Sequence, residues 1–219
     1  MDTVTLRIDL HVHTKWSRDA LNSISDINRR CRELSLDGYG VCDHDSIGAL
    51  AKATLSSDSL TVIPGLEVSA RGAHILCLDP SDLIPSKLSI TETVEKIHDQ
   101  GATAVLAHPY GIPRSFVDYK KAIKAKFDAV EVANAAQTPF SLIMAWNRGL
   151  AEKLGLPQTG GSDSHIPETF GRAYTIVEAA SQDPLDVIEA IRRGRTSTVG
   201  SGTRLDERMK KFWRVLREK

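Results

Sequence analysis

No run in this 219-residue chain approaches the roughly 18 consecutive apolar residues of a membrane-crossing helix, so no transmembrane helix is expected. The N-terminus, Met1 to Arg7, lacks a signal-peptide pattern and enters a strand-like alternation at once, which leaves the cytoplasm as the expected location. Cysteine is scarce: there are three, Cys31, Cys42 and Cys77, and no CxxC pair. That excludes a disulfide framework and a thiolate zinc site. Each cysteine has apolar neighbours and is expected in the core. Excess charge of either sign is also missing, because 28 basic residues balance 28 acidic ones. A general affinity for nucleic acid or anionic membrane is therefore not implied, although a local basic patch remains open. Neither a repeat nor a linker-like or low-complexity stretch divides the chain. One domain over 1–219 is expected, long enough for a full hydrophobic core.

What is present is an alternation of short apolar runs with helical periodicity. Strands are expected at Leu6 to Val12, Tyr39 to Cys42, Thr61 to Ile63, His74 to Leu78, Thr103 to Ala107, Ala129 to Val132, Gln158 to Gly160 and Ala173 to Val177. Helices are expected at Asp26 to Leu36, Thr91 to Gln100, Leu142 to Leu154 and Pro184 to Arg193, with Gly38, Gly101, Gly155 and Gly194 as stops. Such a βα alternation predicts an α/β protein with a mainly parallel sheet or barrel. Gly200 to Thr203 reads as a loop before a basic C-terminal segment, 204–219, expected as a packed terminal helix or as a tail that contacts a partner or nucleic acid.

The chain has seven histidines, and all but His98 fall in acid-rich clusters next to the apolar runs. The clusters are Asp9-Leu10-His11-Val12-His13, Asp43-His44-Asp45, Glu67, His74, His108-Pro109 and Asp163-Ser164-His165. Imidazoles and carboxylates without thiols suit divalent metals such as Zn, Mn or Fe. The donors outnumber what one metal takes, so a multinuclear hydrolytic centre is expected. Residues at the carboxyl ends of barrel strands form the active face. Strict alternation would place Asp9, His11 and His13 on one face of the first strand, with Asp9 fixing a histidine tautomer.

In this order, His11-Val12-His13, Asp43-His44, His108-Pro109 and Asp163-Ser164-His165 resemble the motifs of the polymerase and histidinol phosphatase (PHP) family. The resemblance spans about residues 6–178. It implies a distorted (βα)7 TIM-like barrel with two or three divalent metal ions. Carried over, a first metal takes His11, His13, bridging Glu67 and Asp163. A second shares Glu67 and takes His74 and His108. A third takes Asp19, His44 and His165.

The activity implied is hydrolysis of a small phosphorylated substrate, such as a nucleotide or short oligonucleotide, by a metal-activated hydroxide. No membrane contact and no obligate protein partner are inferred. Asp43 and Asp45 are candidates to orient a ligand histidine or take a proton. Arg18, Arg114 and Arg172 lie beside motifs and are candidates to grip phosphate, the last two also as catalytic groups. Trp16 and Tyr110 are candidates to stack on a base, although an aromatic near a site is more often packing. Two other readings remain: an RNA-binding PHP-like subunit of a ribonucleoprotein, and an amidohydrolase acting at a carbon centre.

Overall fold

The computed structural model describes residues 3–56, 59–111 and 115–217. Arg114 lies outside the described residues. The strands are β1 (Val4–Val12), β2 (Gly38–Val41), β3 (Thr61–Ala70), β4 (Ala73–Leu78), β5 (Thr103–Ala107), β6 (Ala129–Asn134), β7 (Gln158–Gly161), β8 (Ala173–Ala179) and β9 (Thr196–Gly200). The helices are α1 (Ile24–Glu33), α2 (Leu50–Leu55), α3 (Ile90–His98), α4 (Tyr119–Ala125), α5 (Phe140–Leu154), α6 (Pro184–Arg192) and α7 (Leu205–Arg217).

The sheet order is β7-β6-β5-β4-β3-β2-β1-β8-β9. β1, β2 and β3 run parallel, as do β5, β6 and β7, while β4 lies antiparallel between β3 and β5. The upper ends of β7 and β1 then meet: Asp163 N–H donates to His11 O at 2.8 Å and His13 N–H to Ser164 O at 2.9 Å. This nearly closes a distorted barrel. Gly161 permits the approach, because a Cβ there would fall 2.6 Å from the His11 nitrogen. β8 pairs antiparallel with the lower half of β1, and β9 pairs antiparallel with β8.

The expected barrel is therefore present but less parallel than the alternation implied. The reason at β3–β4 is the short link through Arg71 and Gly72, which leaves no room for a crossover helix. β3 also runs past Ile63, where the expected strand stopped at Pro64. The proline is tolerated because β2 ends opposite it, at Val41, so no further donor is called for. β9 was not expected; its Thr-Ser-Thr sequence is too polar and exposed to read as a strand. α2 and α4 were missed too, being short and, for α4, dominated by lysines.

Local sequence explains the longer elements. α1 is capped by the Ser23 side chain and α3 by a reciprocal Ser89–Glu92 box, and both bury an i, i+3, i+4, i+7 stripe. Outside the barrel, Val12, Ile27, Cys31, Tyr39 and Phe170 form one layer, and Val68, Ile75, Val94, Ile97 and Leu106 another. Inside it, Leu6, Ile8, Leu10, Leu76, Leu78 and Val105 pack together, joined by Val187 and Ile191 of α6. The cysteines are buried as expected, and burial pushes the Cys31 and Cys77 thiols up to about 12. Among the described residues no helix is long and apolar enough to cross a membrane.

One irregularity places the functional groups. The register of β1 on β2 slips by a residue between Asp9 and Val12, a β-bulge. Below it Leu6, Ile8 and Leu10 face inward; above it Val12 faces outward against α1, so His11 and His13 turn inward. Asp9 consequently lies on the opposite face from the histidine side chains. This corrects the expectation of a shared face.

Candidate metal centre

Glu67 of β3 sits at the middle of the barrel mouth, 1% exposed, and its two oxygens face different imidazoles. Oε1 lies 2.8 Å from His74 Nδ1 and 3.2 Å from His108 Nε2. Oε2 lies 3.3 Å from His11 Nε2, 3.2 Å from His13 Nε2 and 3.0 Å from His44 Nδ1. Asp163 Oδ1 approaches His13 Nε2 at 3.1 Å and His165 Nδ1 at 3.5 Å, while Asp19 Oδ2 is 3.3 Å from His165 Nε2. Asp163 and His108 hold these positions with left-handed backbone, φ 52° and 30°, a strain of the kind that gathers at functional sites.

The hydrogen bonds behind the imidazoles fix where their lone pairs point. His11 Nδ1–H donates to Glu131 Oε1 at 2.9 Å, so its Nε2 carries the lone pair. The Ser17 hydroxyl is spent on Asp43 (2.8 Å), so Ser17 Oγ accepts from His13 Nδ1–H at 3.2 Å and again leaves a lone pair on Nε2. The two Nε2 atoms are 3.1 Å apart, beside the carboxylates of Glu67 and Asp163. His165 Nδ1–H donates to Asp163 O at 2.9 Å and likewise frees its Nε2. Among the described residues Glu67 Oε2 and His165 Nε2 are buried without a hydrogen-bond partner. Converging imidazole nitrogens and negative oxygens call for a cation between them, a proton or, when bound, a metal, and this donor set fits divalent metals.

Electrostatics agree. Burial alone would raise the Glu67 carboxyl and lower His13. The imidazoles around Glu67, His11 first, instead hold it well below the usual carboxylate range. Hydrogen bonds and charge from Asp163 and Glu67 raise His13 to about 9. Burial lowers His44 to about 4, and it lowers His165 as well.

Each sequence candidate can now be located. His11, His13, Asp19, His44, Glu67, His74, His108, Asp163 and His165 all converge on the barrel mouth. Asp43 does not face it: its oxygens accept from Thr14 N–H, Thr14 Oγ1–H and Ser17 Oγ–H, so it orients His13 through Ser17. Asp45 accepts from Ser69 N–H at 2.8 Å and ties its loop to β3. Asp9 accepts from the Ser162 and Gly171 backbone at 2.8 and 2.9 Å; it braces the β7–β8 connection rather than a tautomer. Arg172 pairs with Glu207 of α7 and lines a neighbouring groove, not the mouth. Arg18 is exposed and lines neither. Trp16 stacks under Lys52, and Tyr110 packs on Phe116, so neither aromatic lines the mouth. His98, outside the clusters, pairs with Asp128 on the surface.

Sequence reasoning missed Glu131. Its Oε1 holds His11, and its Oε2 accepts from His108 N–H and Asn134 Nδ2–H, both at 3.0 Å. The available signal was an acid inside the otherwise apolar run Ala129–Val132. Glu131→Gln is expected to weaken metal binding by about 10- to 100-fold, read by calorimetry, because the amide can present an N–H to His11 Nδ1 and upset its tautomer. Unchanged affinity would remove Glu131 from this role. Arg208 and Lys211 of α7, which also line the mouth, were missed because the C-terminal segment read only as basic.

Residues 147–196 match the family model described as PHP-associated. The fold matches a two-domain protein of Bacteroides vulgatus described as containing a predicted PHP-like metal-dependent phosphoesterase. That match has a TM-score of 0.76 and 19% identity, covering 96% of this chain and 70% of that one. The chain shares that fold. A probable phosphatase of Syntrophotalea carbinolica is 24% identical over 238 residues, covering 92% of this chain and 99% of its own. The fold is shared as well with a lesion-specific endonuclease of Pyrococcus furiosus, at TM-score 0.67 and 19% identity, covering 89% of this chain and 58% of that one.

Proposed function

We propose that this protein is a metal-dependent phosphoesterase acting on small phosphorylated substrates, with nucleotides and short oligonucleotides as the preferred class. The observation that carries the reading is Glu67, a buried carboxylate whose oxygens each face a separate imidazole set. In this assignment His11, His13, Glu67 and Asp163 hold one metal, Glu67, His74 and His108 a second, and Asp19, His44 and His165 a third. His44 is within reach of both the Glu67 and the His165 groups, which supports two or three ions of Mn, Zn or Fe.

Bound divalent metals supply Lewis acidity, lowering the pKa of water and neutralising phosphoryl oxygens. The protein's own contribution is orientation. Glu131 and the Asp43–Ser17 pair fix the tautomers of His11 and His13, and the low-dielectric mouth strengthens every charge interaction made there. A cleft of about 230 Å³ lies over these residues, with room for a phosphoryl group. Similarity to a probable phosphatase and to the fold of an endonuclease supports the substrate class. The amidohydrolase reading is set aside because a carboxylate, not a lysine, stands at the shared position.

The test is release of inorganic phosphate from phosphorylated nucleotides, and of nucleotides from short oligonucleotides, with added Mn²⁺. Wild type is expected to turn over and His11→Ala to lose activity while remaining folded. Equal turnover by both proteins would sink the proposal.

A further inference from the structure

Arg18 and Arg172, the described arginines that flank the motifs, do not line the mouth. In the groove of about 1130 Å³ beside the mouth, Arg29 and Arg30 pair with Glu33, Arg172 with Glu207 and Arg214 with Glu168. Those guanidiniums are neutralised within the protein. Arg208, on the inner face of α7, differs. It lines the metal-ligand cleft together with His44, His74 and His165, and it has no carboxylate partner among the described residues.

Its fork is instead held by backbone. Nε donates to Thr203 O at 3.2 Å, and Nη2 donates to Ala136 O at 2.9 Å and Gln137 O at 3.4 Å. Among the described residues Nη1 has no such contact. A half-buried guanidinium, fixed on one edge by carbonyls and uncommitted on the other, is preorganised for an oxyanion. Burial lowers its pKa, the signature of a cation awaiting a counter-charge. Lys211, one turn further along α7, lines the same wall and acts electrostatically on Asp19 and His165.

We propose that Arg208 is a substrate-binding residue, whose Nη1 edge takes a non-bridging phosphoryl oxygen opposite the metal ligands. Helix α7 thereby completes the active site. The proposal rests on the phosphoesterase reading and names the side chain that selects a phosphoryl group over a neutral substrate. Arg208 also fastens α7 to the loop after β6, so the test must separate charge from anchoring. Arg208→Gln removes the charge, whereas Arg208→Lys keeps it but loses the fork.

Binding of inorganic phosphate to the Mn²⁺-loaded full chain is measured by calorimetry, beside KM and kcat for the best ester. Arg208→Gln is expected to weaken phosphate and raise KM by about 10- to 100-fold, with kcat changed much less. Arg208→Lys is expected to recover most of that loss. Wild-type phosphate affinity in Arg208→Gln, or equal loss in both variants, overturns the proposal, the latter by showing an anchor only. If wild type hydrolyses no ester yet phosphate binding follows the charge at 208, the phosphoesterase reading fails and the anion site stands. If wild type does not bind phosphate, the anion site falls.

Discussion

Glu67→Gln is expected to lower phosphoester hydrolysis by about 10³-fold or more while the barrel remains folded. The substitution conserves volume, so it opens no cavity beneath the mouth. What it removes is the one negative group addressed by His11, His13, His44, His74 and His108 together. An amide offers a single weakly basic oxygen and cannot serve both sides. Several kcal/mol of charge stabilisation are therefore lost, and each ~1.4 kcal/mol is a factor of ten in rate. Metal content per chain, measured on the same sample, should fall with activity. A variant with full metal content and full turnover would show that the two imidazole sets do not share Glu67.

The second large effect is on stability. The fold crowds the carboxylates of Glu67, Asp163 and Asp19 against imidazole nitrogens. Cations that bind only the folded state stabilise it by about 2.7 kcal/mol at 100-fold excess over Kd. For a domain of this size that raises Tm by roughly 5–10 °C. Chelation should reverse the shift. The effect also carries a pH sign. Neighbouring carboxylates raise His13 to about 9, so at neutral pH it holds a proton that an incoming metal must expel. Apparent metal affinity should therefore increase as pH rises from about 6 towards 9, with net proton release seen by calorimetry in buffers of different ionisation enthalpy. A Tm indifferent to Mn²⁺ and to chelator, or affinity that falls across that range, would contradict the assignment.

Much of the mouth was legible in the sequence because several of its residues sit where a strand gives way to polar residues. His108 after Thr103–Ala107 and the Asp163–His165 pair after Gln158–Gly161 show this directly. Other features obeyed rules that a linear reading does not contain. Strict two-residue alternation put Asp9 beside His11, but the bulge in β1 reverses the face between them. Glu131 looked like one acid in a buried strand, and only closure of the barrel brings it to His11 and His108. Proximity in sequence also misled for the arginines: Arg172 flanks a ligand motif yet is spent on Glu207. Arg208 lies in a segment whose basic character alone said nothing about where α7 would pack.

The division of Glu67 has a mechanical consequence. The imidazole sets come from either side of β3: His11, His13 and His44 from the β1–β2 side, His74 and His108 from the β4–β5 side. Both refer to oxygens on a single carbon, whose separation is set by covalent geometry and does not drift with the fold. The centre thus carries its own gauge block: the spacing between the two points at which the imidazole sets are aimed is fixed within one side chain.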